Sequence, residues 1–208
     1  MNLPQVGDVG HVRHLDIVSK WNISALIHCA LNIWHRDWCK RHLKVYKEVK
    51  GTHDFLIVPC EESGFGIGAG ESLASKGTVI TPWENYMKLC HAGKAEVWIF
   101  DPKFTEAERD KVVEYWMKNC KGTAYDYKGI LSILWKVMFS SFSDKVRQSE
   151  SRFWCTEALA VSLRSVRDVL QARFATPMHI EQCCGWLARP ERMQTTLWLR
   201  FCERKDEA

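Results

Sequence analysis

The chain has 208 residues, of which 46% are hydrophobic and 26% are charged, as is typical of a globular domain with a buried core. Its formal net charge of +4 is too small to indicate a nucleic-acid partner, and we expect none. The nine cysteines are odd in number and lack the repeated CxxC spacing of a zinc ribbon, so the sequence predicts neither a disulfide framework nor a metal site. No cofactor is expected, and free thiols are typical of a reducing compartment.

Nothing in the sequence resembles a targeting signal or a membrane span. The N-terminal residues lack a long apolar stretch behind a basic start. The most apolar later stretch, Gly129–Phe142, is shorter than a membrane span and contains Lys136. We therefore expect a cytoplasmic protein, for which peripheral contact with a membrane and release by another route stay open. No linker or repeat divides residues 1–208, so a single domain is predicted.

The first half of the chain combines one helical segment with several short strands. Residues Asp16–Trp38 have apolar side chains four apart, which predicts a helix. Phe55–Val58 is an apolar run ended by proline, and it predicts a buried strand. Gly64–Gly70 lacks both GxGxxG and GxxxxGK(S/T), so it predicts a glycine-rich strand or hairpin in close backbone contact rather than a phosphate-binding loop. Two further strands are predicted at Gly77–Thr81 and Ala95–Phe100.

Helices dominate the second half. A short helix is predicted from Pro82 to Leu89, because proline is well tolerated in a first turn. Thr105 followed by Glu108 predicts a capping box, and Gly122 is a natural end for the helix behind it. Further elements are predicted as a helix over Tyr127–Phe142, a helix beginning near Cys155 and a last strand at Leu197–Phe201. The fold class is therefore α+β, with a small antiparallel sheet packed against helices.

Cys155 is the cysteine best placed to act as a nucleophile. A reactive thiol needs surroundings that favour its thiolate, an imidazole within reach and a polar group that orients the imidazole. The segment Arg152–Glu157 leads into a predicted helix, and the free amides and dipole of a helix N-terminus favour an anion. The alternative, on placement alone, is that Cys155 is one more small buried thiol.

The sequence around Cys155 is one of a series of short motifs that follow a recognisable order. Phe153–Glu157 resembles the F-x-C-S-E motif around the nucleophile of circularly permuted NlpC-type papain-like cysteine hydrolases, the YiiX-like group. Further segments resemble motifs of that family in the same order: Gly7–Val9, Thr52–Val58, Gly77–Tyr86, Gly122–Tyr127 and Ala175–Met178. The resemblance covers nearly the whole chain and rests on this shared order. It implies one permuted papain-like domain over residues 1–208, with the nucleophile at a helix N-terminus and histidine before cysteine.

The resemblance also implies the roles of the reacting groups. Cys155 would be the nucleophile and His53 its general base, although they lie far apart in the chain. The third, orienting group is open. The family often has a glutamate on the next strand, at a position nearer Gly68 here, and Glu71 is the nearest carboxylate, at the expected end of that strand. Asp54 is an alternative, but strand alternation points it away from His53. A backbone carbonyl or a water near Gly68 is the remaining alternative.

Other residues are assigned to the pocket or excluded from the site. Tyr125, Asp126 and Trp154 are expected to line the substrate pocket, and the Tyr125 hydroxyl and the Cys155 amide to donate to an oxyanion. A purely structural turn is the alternative for Tyr125 and Asp126. The rival histidines are placed in the first helix (His28 and His35) or in loops and at the surface (His11, His14, His42 and His91).

The function that the resemblance implies is hydrolysis of an amide bond through a thioester, as in a cysteine peptidase or amidase. Cell-wall peptides, including peptidoglycan fragments, are one implied substrate class, with a bacterial or phage origin. The permuted branch is also similar to lipid acyltransferases and thioesterases, so an acyl substrate is a second hypothesis. The third hypothesis is a non-catalytic binding or virion-structural protein that keeps the fold.

Overall fold

A computed structural model of the chain describes residues 3–14, 53–129, 131 and 151–167. Residues 127–129 and 131 are helical, in agreement with the predicted start of a helix at Tyr127. The following predictions fall outside the described residues: the helix at Asp16–Trp38, the rest of the helix Tyr127–Phe142, the segments Ala175–Met178 and Leu197–Phe201, and the placement of His28, His35 and His42.

Five antiparallel strands form the main sheet of the described part of the chain. In chain order they are β1 (Val9–His14), β2 (His53–Pro59), β3 (Ile67–Leu73), β4 (Gly77–Pro82) and β5 (Ala95–Phe100). Their order across the sheet is β4-β3-β2-β1-β5. A short parallel pair is formed by β6 (Ala124–Tyr125) and β7 (Arg152–Phe153). The predicted strands β2 to β5 are confirmed, whereas β1 has no apolar run and is not predicted from the sequence.

Three helices are described from end to end: α1 (Trp83–His91), α2 (Glu106–Asn119) and α3 (Cys155–Arg164). The capping box that begins α2 is confirmed, because the Thr105 hydroxyl accepts the Glu108 amide and the Glu108 carboxylate accepts the Thr105 amide. α2 ends at Asn119, and the chain then turns at Gly122, whose φ of +80° glycine adopts without strain. α3 begins at Cys155, as predicted. The described residues therefore form a mixed α+β fold, as expected from the sequence.

The sheet carries a hydrophobic core on each face, and β2 contributes to both. Within Phe55–Val58, the even-numbered residues join the core under α2 and α3, around Trp116, and the odd-numbered residues join the core under α1, around Trp83. Because both faces are covered, this strand shows an unbroken apolar run rather than an alternating one. The same alternation directs His53 toward the α1 face and Asp54 toward the face of α2 and α3.

Two glycines allow aromatic rings to lie directly against the sheet. A Cβ at Gly10 would come within 1.8 Å of the Phe55 ring, and one at Gly70 within 2.9 Å of Trp116. A Cβ at Gly68 would come within 2.8 Å of the Thr81 backbone oxygen, which confirms the interpretation of Gly64–Gly70 as a glycine-rich strand or hairpin in close backbone contact. Residues 61–66 form the turn that places β3 beside β2, and this pairing positions the candidate site.

Candidate active site

Cys155 is the first residue of α3. Its N-cap residue, Trp154, has an extended backbone and makes no side-chain cap hydrogen bond, so no N-cap side chain competes for the amides of the first turn. These amides and the helix dipole favour a negative charge on the sulfur. Cys155 is a free, half-buried cysteine, and the backbone of Asp54 helps to lower the pKa of its thiol. The helix start therefore presents a thiol in surroundings that favour the thiolate.

His53 is the first residue of β2 and connects Cys155 to a carboxylate. The Cys155 thiol is close enough to its ring for each group to shift the pKa of the other, and its Nε2 lies 2.5 Å from Glu71 Oε2. Because Nε2 is engaged by Glu71, Nδ1 is the nitrogen left for the sulfur. The His53 side chain is 12% exposed, so the pair is not sealed from solvent. The structure therefore brings Cys155, His53 and Glu71 together, with the imidazole between the thiol and the carboxylate.

Glu71 contacts the imidazole from inside a strand. The sequence places Glu71 at the end of this strand, which is wrong, because β3 continues to Leu73. The pairing of Leu56 with Gly70 sets the register that brings Glu71 toward His53. Glu71 lies inside the strand, on the face of the sheet that α1 covers, and it is only 3% exposed. It is therefore a buried group of the site rather than a solvated turn residue.

Three donors converge on the Glu71 carboxylate. Besides the His53 ring, it accepts the Tyr86 hydroxyl, at 2.6 Å, and the Thr81 hydroxyl. α1 supplies the tyrosine and β4 supplies the threonine, so the carboxylate is held by two elements other than its own strand. A carboxylate that is fixed in this way also fixes the tautomer and angle of the ring that donates to it.

The electrostatics of the three groups favour a charge on each of them. Burial lowers the pKa of His53, but the negative charges of Cys155 and Glu71 and the hydrogen bonds to them raise that pKa well above its usual value. Burial raises the pKa of Cys155, but the charge and hydrogen bond of His53 lower it below its usual value. Burial likewise raises the pKa of Glu71, and His53 and the two hydroxyls lower it. These shifts favour a thiolate, an imidazolium and a carboxylate in series over the three neutral groups.

A second histidine–carboxylate pair lies on the other face of β2. Asp54 and His11 are cross-strand neighbours, with His11 Nδ1 2.6 Å from Asp54 Oδ1 and both side chains at 0% exposure. The other carboxylate oxygen, Oδ2, accepts the Thr156 hydroxyl at 2.7 Å. Asp54 therefore points away from His53, as strand alternation predicts. The expectation that His11 lies in a loop or at the surface is wrong, because β1 buries it against Asp54.

Sequence reasoning missed His11 and Thr156 as partners of a buried carboxylate. The signal that was available is Asp54 itself, since a charged residue next to a buried apolar run needs a buried partner. Of the other rival histidines, His91 is exposed at the end of α1, as predicted. His14 ends β1, with its ring centroid 6.5 Å from that of the site histidine.

Tyr125, Asp126 and Trp154 lie around the start of α3. Burial and the negative charge of Cys155 raise the pKa of Tyr125, so its hydroxyl keeps its proton near the sulfur. Asp126 Oδ1 accepts the Gly129 amide at 3.0 Å, and a Cβ at Gly129 would come within 2.4 Å of the Trp154 ring. Asp126 and Trp154 thus hold the turn after β6 against the helix start. Their contact with a substrate stays a prediction.

The described residues contain neither a candidate metal site nor a helix that could cross a membrane. Within the described ranges, no group of three or more His, Cys, Asp or Glu side chains is placed to hold a metal ion. The cysteines that the structure describes, Cys60, Cys90, Cys120 and Cys155, are free thiols. None of the helices in these ranges is long and apolar enough to cross a membrane.

No model of a known protein family matches the sequence, and no curated protein matches it. Among solved structures, the chain is similar to the crystal structure of the metalloprotein YiiX from Escherichia coli O157:H7, with 14% sequence identity and a TM-score of 0.48. The similarity covers 79% of this chain and 67% of that chain.

Proposed function

We propose that the chain is a cysteine hydrolase of the permuted papain-like type, in which Cys155 is the nucleophile and His53 the general base. The observation that carries the proposal is an imidazole that is hydrogen-bonded to the buried Glu71 and lies beside a thiol at a helix N-terminus. The histidine strand precedes the cysteine helix, an order that fits the permuted branch, whereas ordinary papain-like enzymes have the cysteine first. The proposal includes a single domain over residues 1–208.

The first chemical step forms a thioester. The Cys155 thiolate attacks the carbonyl carbon of an amide, and the carbonyl oxygen becomes an oxyanion. We assign the Cys155 backbone amide and the Tyr125 hydroxyl as its donors, since the tyrosine lies near the sulfur and keeps its proton. The proton on His53 Nδ1 then passes to the amide nitrogen, the C–N bond breaks, and the amine leaves.

The second step returns the free enzyme. Water loses a proton to the now neutral Nδ1 of His53 and adds to the thioester carbonyl. The C–S bond breaks, the carboxylic acid leaves, and the Cys155 thiolate pairs again with the imidazolium. Glu71 keeps the ring in one orientation through both steps, because its carboxylate holds Nε2 while Nδ1 exchanges the proton.

Amides, and cell-wall peptides among them, are the first substrate class that we propose. Acyl esters and thioesters are the second, as in lipid acyltransferases and thioesterases, since the same thiolate attacks either kind of carbonyl. The observation that favours the second class is the exposed pair Tyr127 and Leu131, 48% and 60% exposed, which lie one helical turn apart just beyond Tyr125. This pair offers apolar surface for an acyl chain, and the Tyr127 ring lies 5.0 Å from the ring of Tyr125.

The first test is covalent labelling of the native full chain. An iodoacetamide probe at neutral pH, followed by peptide mapping, is expected to modify Cys155 ahead of the other cysteines. His53→Ala is expected to abolish that preference, because it removes the charge that favours the thiolate. His91→Ala removes an exposed histidine outside the site and is expected to keep it.

Two substrate panels then separate the reaction classes. Peptidoglycan peptides and acyl esters are each incubated with the protein and quenched in acid, and intact mass is used to find a thioester on Cys155. Turnover of peptides supports the amidase, and turnover of esters alone supports the acyl class. Absence of preferential labelling together with absence of turnover on both panels would overturn the proposal in favour of a non-catalytic binding or virion-structural protein.

A further inference from the structure

A buried bridge joins the strand of the proposed base to the helix of the proposed nucleophile. The Asp54 carboxylate contacts both neighbours, with Oδ1 2.6 Å from His11 Nδ1 and Oδ2 accepting the Thr156 hydroxyl at 2.7 Å, and all three residues are at 0% exposure. We call these three residues the Asp54 bridge. Asp54 directly follows His53, and Thr156 directly follows Cys155, so the bridge and the reacting pair share two stretches of backbone.

Burial makes the Asp54 bridge sensitive to small shifts. A carboxylate removed from water loses hydration that only close hydrogen bonds replace, and such bonds weaken beyond about 3.2 Å. A slide of α3 along β2 would therefore separate Asp54 Oδ2 from its donor. The same slide would move the Cys155 sulfur away from His53. The bridge thus opposes the movements that would separate the reacting pair.

The charge of Asp54 argues against a purely electrostatic role. Its carboxylate is negative and near Cys155, so its charge raises the pKa of the thiol, against the larger effect of His53. The backbone of Asp54, in contrast to its side chain, lowers the pKa of the thiol. What the carboxylate itself contributes to a thiolate site is therefore position and not charge.

We infer that Asp54 is a positioning residue of the site. By holding the Thr156 hydroxyl, it fixes the first turn of α3 against β2, and this sets the approach of the sulfur to the imidazole. His11 keeps the carboxylate in place from β1. The inference rests on the proposed function for its chemistry, but it concerns the geometry of a thiol and an imidazole, which is measured without a substrate.

Thr156→Val and Asp54→Asn together test the inference. Thr156→Val keeps the shape of the side chain but removes a hydroxyl that also lies 3.7 Å from the Cys155 sulfur, whereas Asp54→Asn leaves that contact in place. The readout is the rate at which iodoacetamide alkylates Cys155 across pH, followed by peptide mapping. Near pH 6 we expect this rate to fall about tenfold, the change that one unit in the pKa of the thiol produces. Thr156→Ser keeps the hydroxyl, and we expect it to restore most of the rate.

Ser162→Ala is the matched control on the same helix. Ser162 is buried and donates to the Ala158 carbonyl at 2.8 Å, so the variant removes a buried hydroxyl about two turns from Cys155. Thermal melting is expected to show a loss of stability in both Thr156→Val and Ser162→Ala, and only the first is expected to change the alkylation profile. An unchanged profile in Thr156→Val, or the same change in both variants, would contradict the inference.

Asp54→Asn decides the matter if Thr156→Val does not fold. It removes a charge that disfavours the thiolate, so a carboxylate acting through charge alone predicts faster alkylation near pH 6. A positioning carboxylate predicts slower alkylation, because the amide puts an NH2 group at one of the two positions where His11 Nδ1 and the Thr156 hydroxyl each meet a carboxylate oxygen. Faster alkylation would overturn the inference. Failure of the proposed function gives a different result, in which Cys155 of the wild-type protein itself has no enhanced reactivity.

Discussion

β2 carries a histidine–carboxylate pair on each of its faces, and the two pairs have different surroundings. On the α1 face, His53 pairs with Glu71, is 12% exposed, and also meets the Cys155 thiol. On the opposite face, His11 pairs with Asp54 at 0% exposure, and the carboxylate meets a threonine hydroxyl of α3. The two pairs thus share their chemistry, but in the described residues only the pair on the α1 face has both an ionisable thiol beside it and access to water.

The two carboxylates also act on the thiol with opposite sign. Glu71 supports the positive charge of His53, and that charge lowers the pKa of Cys155. Asp54 places a negative charge near the sulfur without a hydrogen bond to the site imidazole, so its charge raises the same pKa. The difference teaches that a carboxylate near a thiol is not by itself an activating group, because its effect depends on which neighbour it contacts.

The largest effect is expected when the reacting pair on the α1 face is removed. Cys155→Ser and His53→Ala should each lower kcat/KM by about 10³-fold or more, and the double variant should be little worse than either, since groups that act as a unit are non-additive. Circular dichroism is expected to show an unchanged fold in each variant. Normal turnover by Cys155→Ser would identify another nucleophile and end the assignment.

Variants that remove His11 or His53 singly compare how much each histidine–carboxylate pair of β2 contributes to the free energy of unfolding. His11→Ala leaves the buried Asp54 carboxylate without its cross-strand partner, and breaking a buried pair lowers the free energy of unfolding by about 3–5 kcal/mol. His53→Ala should lower it clearly less, since the side chain is partly exposed and Glu71 keeps two hydroxyl donors. Urea unfolding near neutral pH measures both losses. Equal losses would show that the two pairs contribute alike to the fold.

Glu71→Gln sharpens the role of the charge on the α1 face. The amide oxygen still accepts from His53 Nε2, so we expect kcat/KM to fall only about tenfold, the value of one charge-assisted hydrogen bond. The ion pair exists between the pKa of Cys155 and the pKa of His53. Losing the carboxylate charge lowers the pKa of His53, so the alkaline limb of the pH profile should move to lower pH.

The control for this variant is Glu61→Gln, which changes an exposed glutamate in the turn before β3. Its kcat/KM profile across pH should match that of the wild-type protein. If Glu71→Gln gives the same profile as Glu61→Gln, the orienting role passes from Glu71 to another group.

The smallest effect is expected from Tyr86→Phe, which removes one of the donors to Glu71. One hydrogen bond contributes about 1 kcal/mol to the free energy of unfolding, and the carboxylate itself remains. Because folding lowers the pKa of Glu71, the ionised carboxylate stabilises the fold at pH values above the ordinary pKa of a glutamate. This contribution is lost as the pH falls through the lowered pKa. The difference in melting temperature between Tyr86→Phe and wild type should therefore shrink in acid. A difference that is equal at neutral and acid pH would contradict this hydrogen bond to the carboxylate.

Strands whose two buried faces consist of apolar side chains could be predicted from the sequence, and β1, which is equally buried, could not. Phe55–Val58 and Ala95–Phe100 show apolar runs, since their residues meet a core directly. β1 contains Gly10, which leaves room for the ring of Phe55, and His11, which is buried only because Asp54 lies opposite. These contacts join residues far apart in the chain, so no local sequence pattern in β1 predicts them.

The candidate site was predictable where a motif extends over several residues. Cys155 and His53 each belong to such a motif, and the order of the motifs along the chain added information. Glu71 could be named only as the nearest carboxylate, because the end of a glycine-rich strand cannot be read from its sequence. Thr156 could not be found at all, since a threonine in a first helical turn is common and only the buried Asp54 distinguishes this one.

The pH dependence of Cys155 alkylation tests most directly the central claim that a thiolate and an imidazolium coexist near neutral pH. The rate should rise at a pH below the ordinary thiol pKa of about 8.5, and His53→Ala should lose this reactivity at low pH. Cys120 serves as an internal comparison, since burial raises its pKa to about 11 and it should stay unreactive over the same range. A Cys155 that titrates at or above the ordinary value, with the same profile in His53→Ala, would contradict the claim.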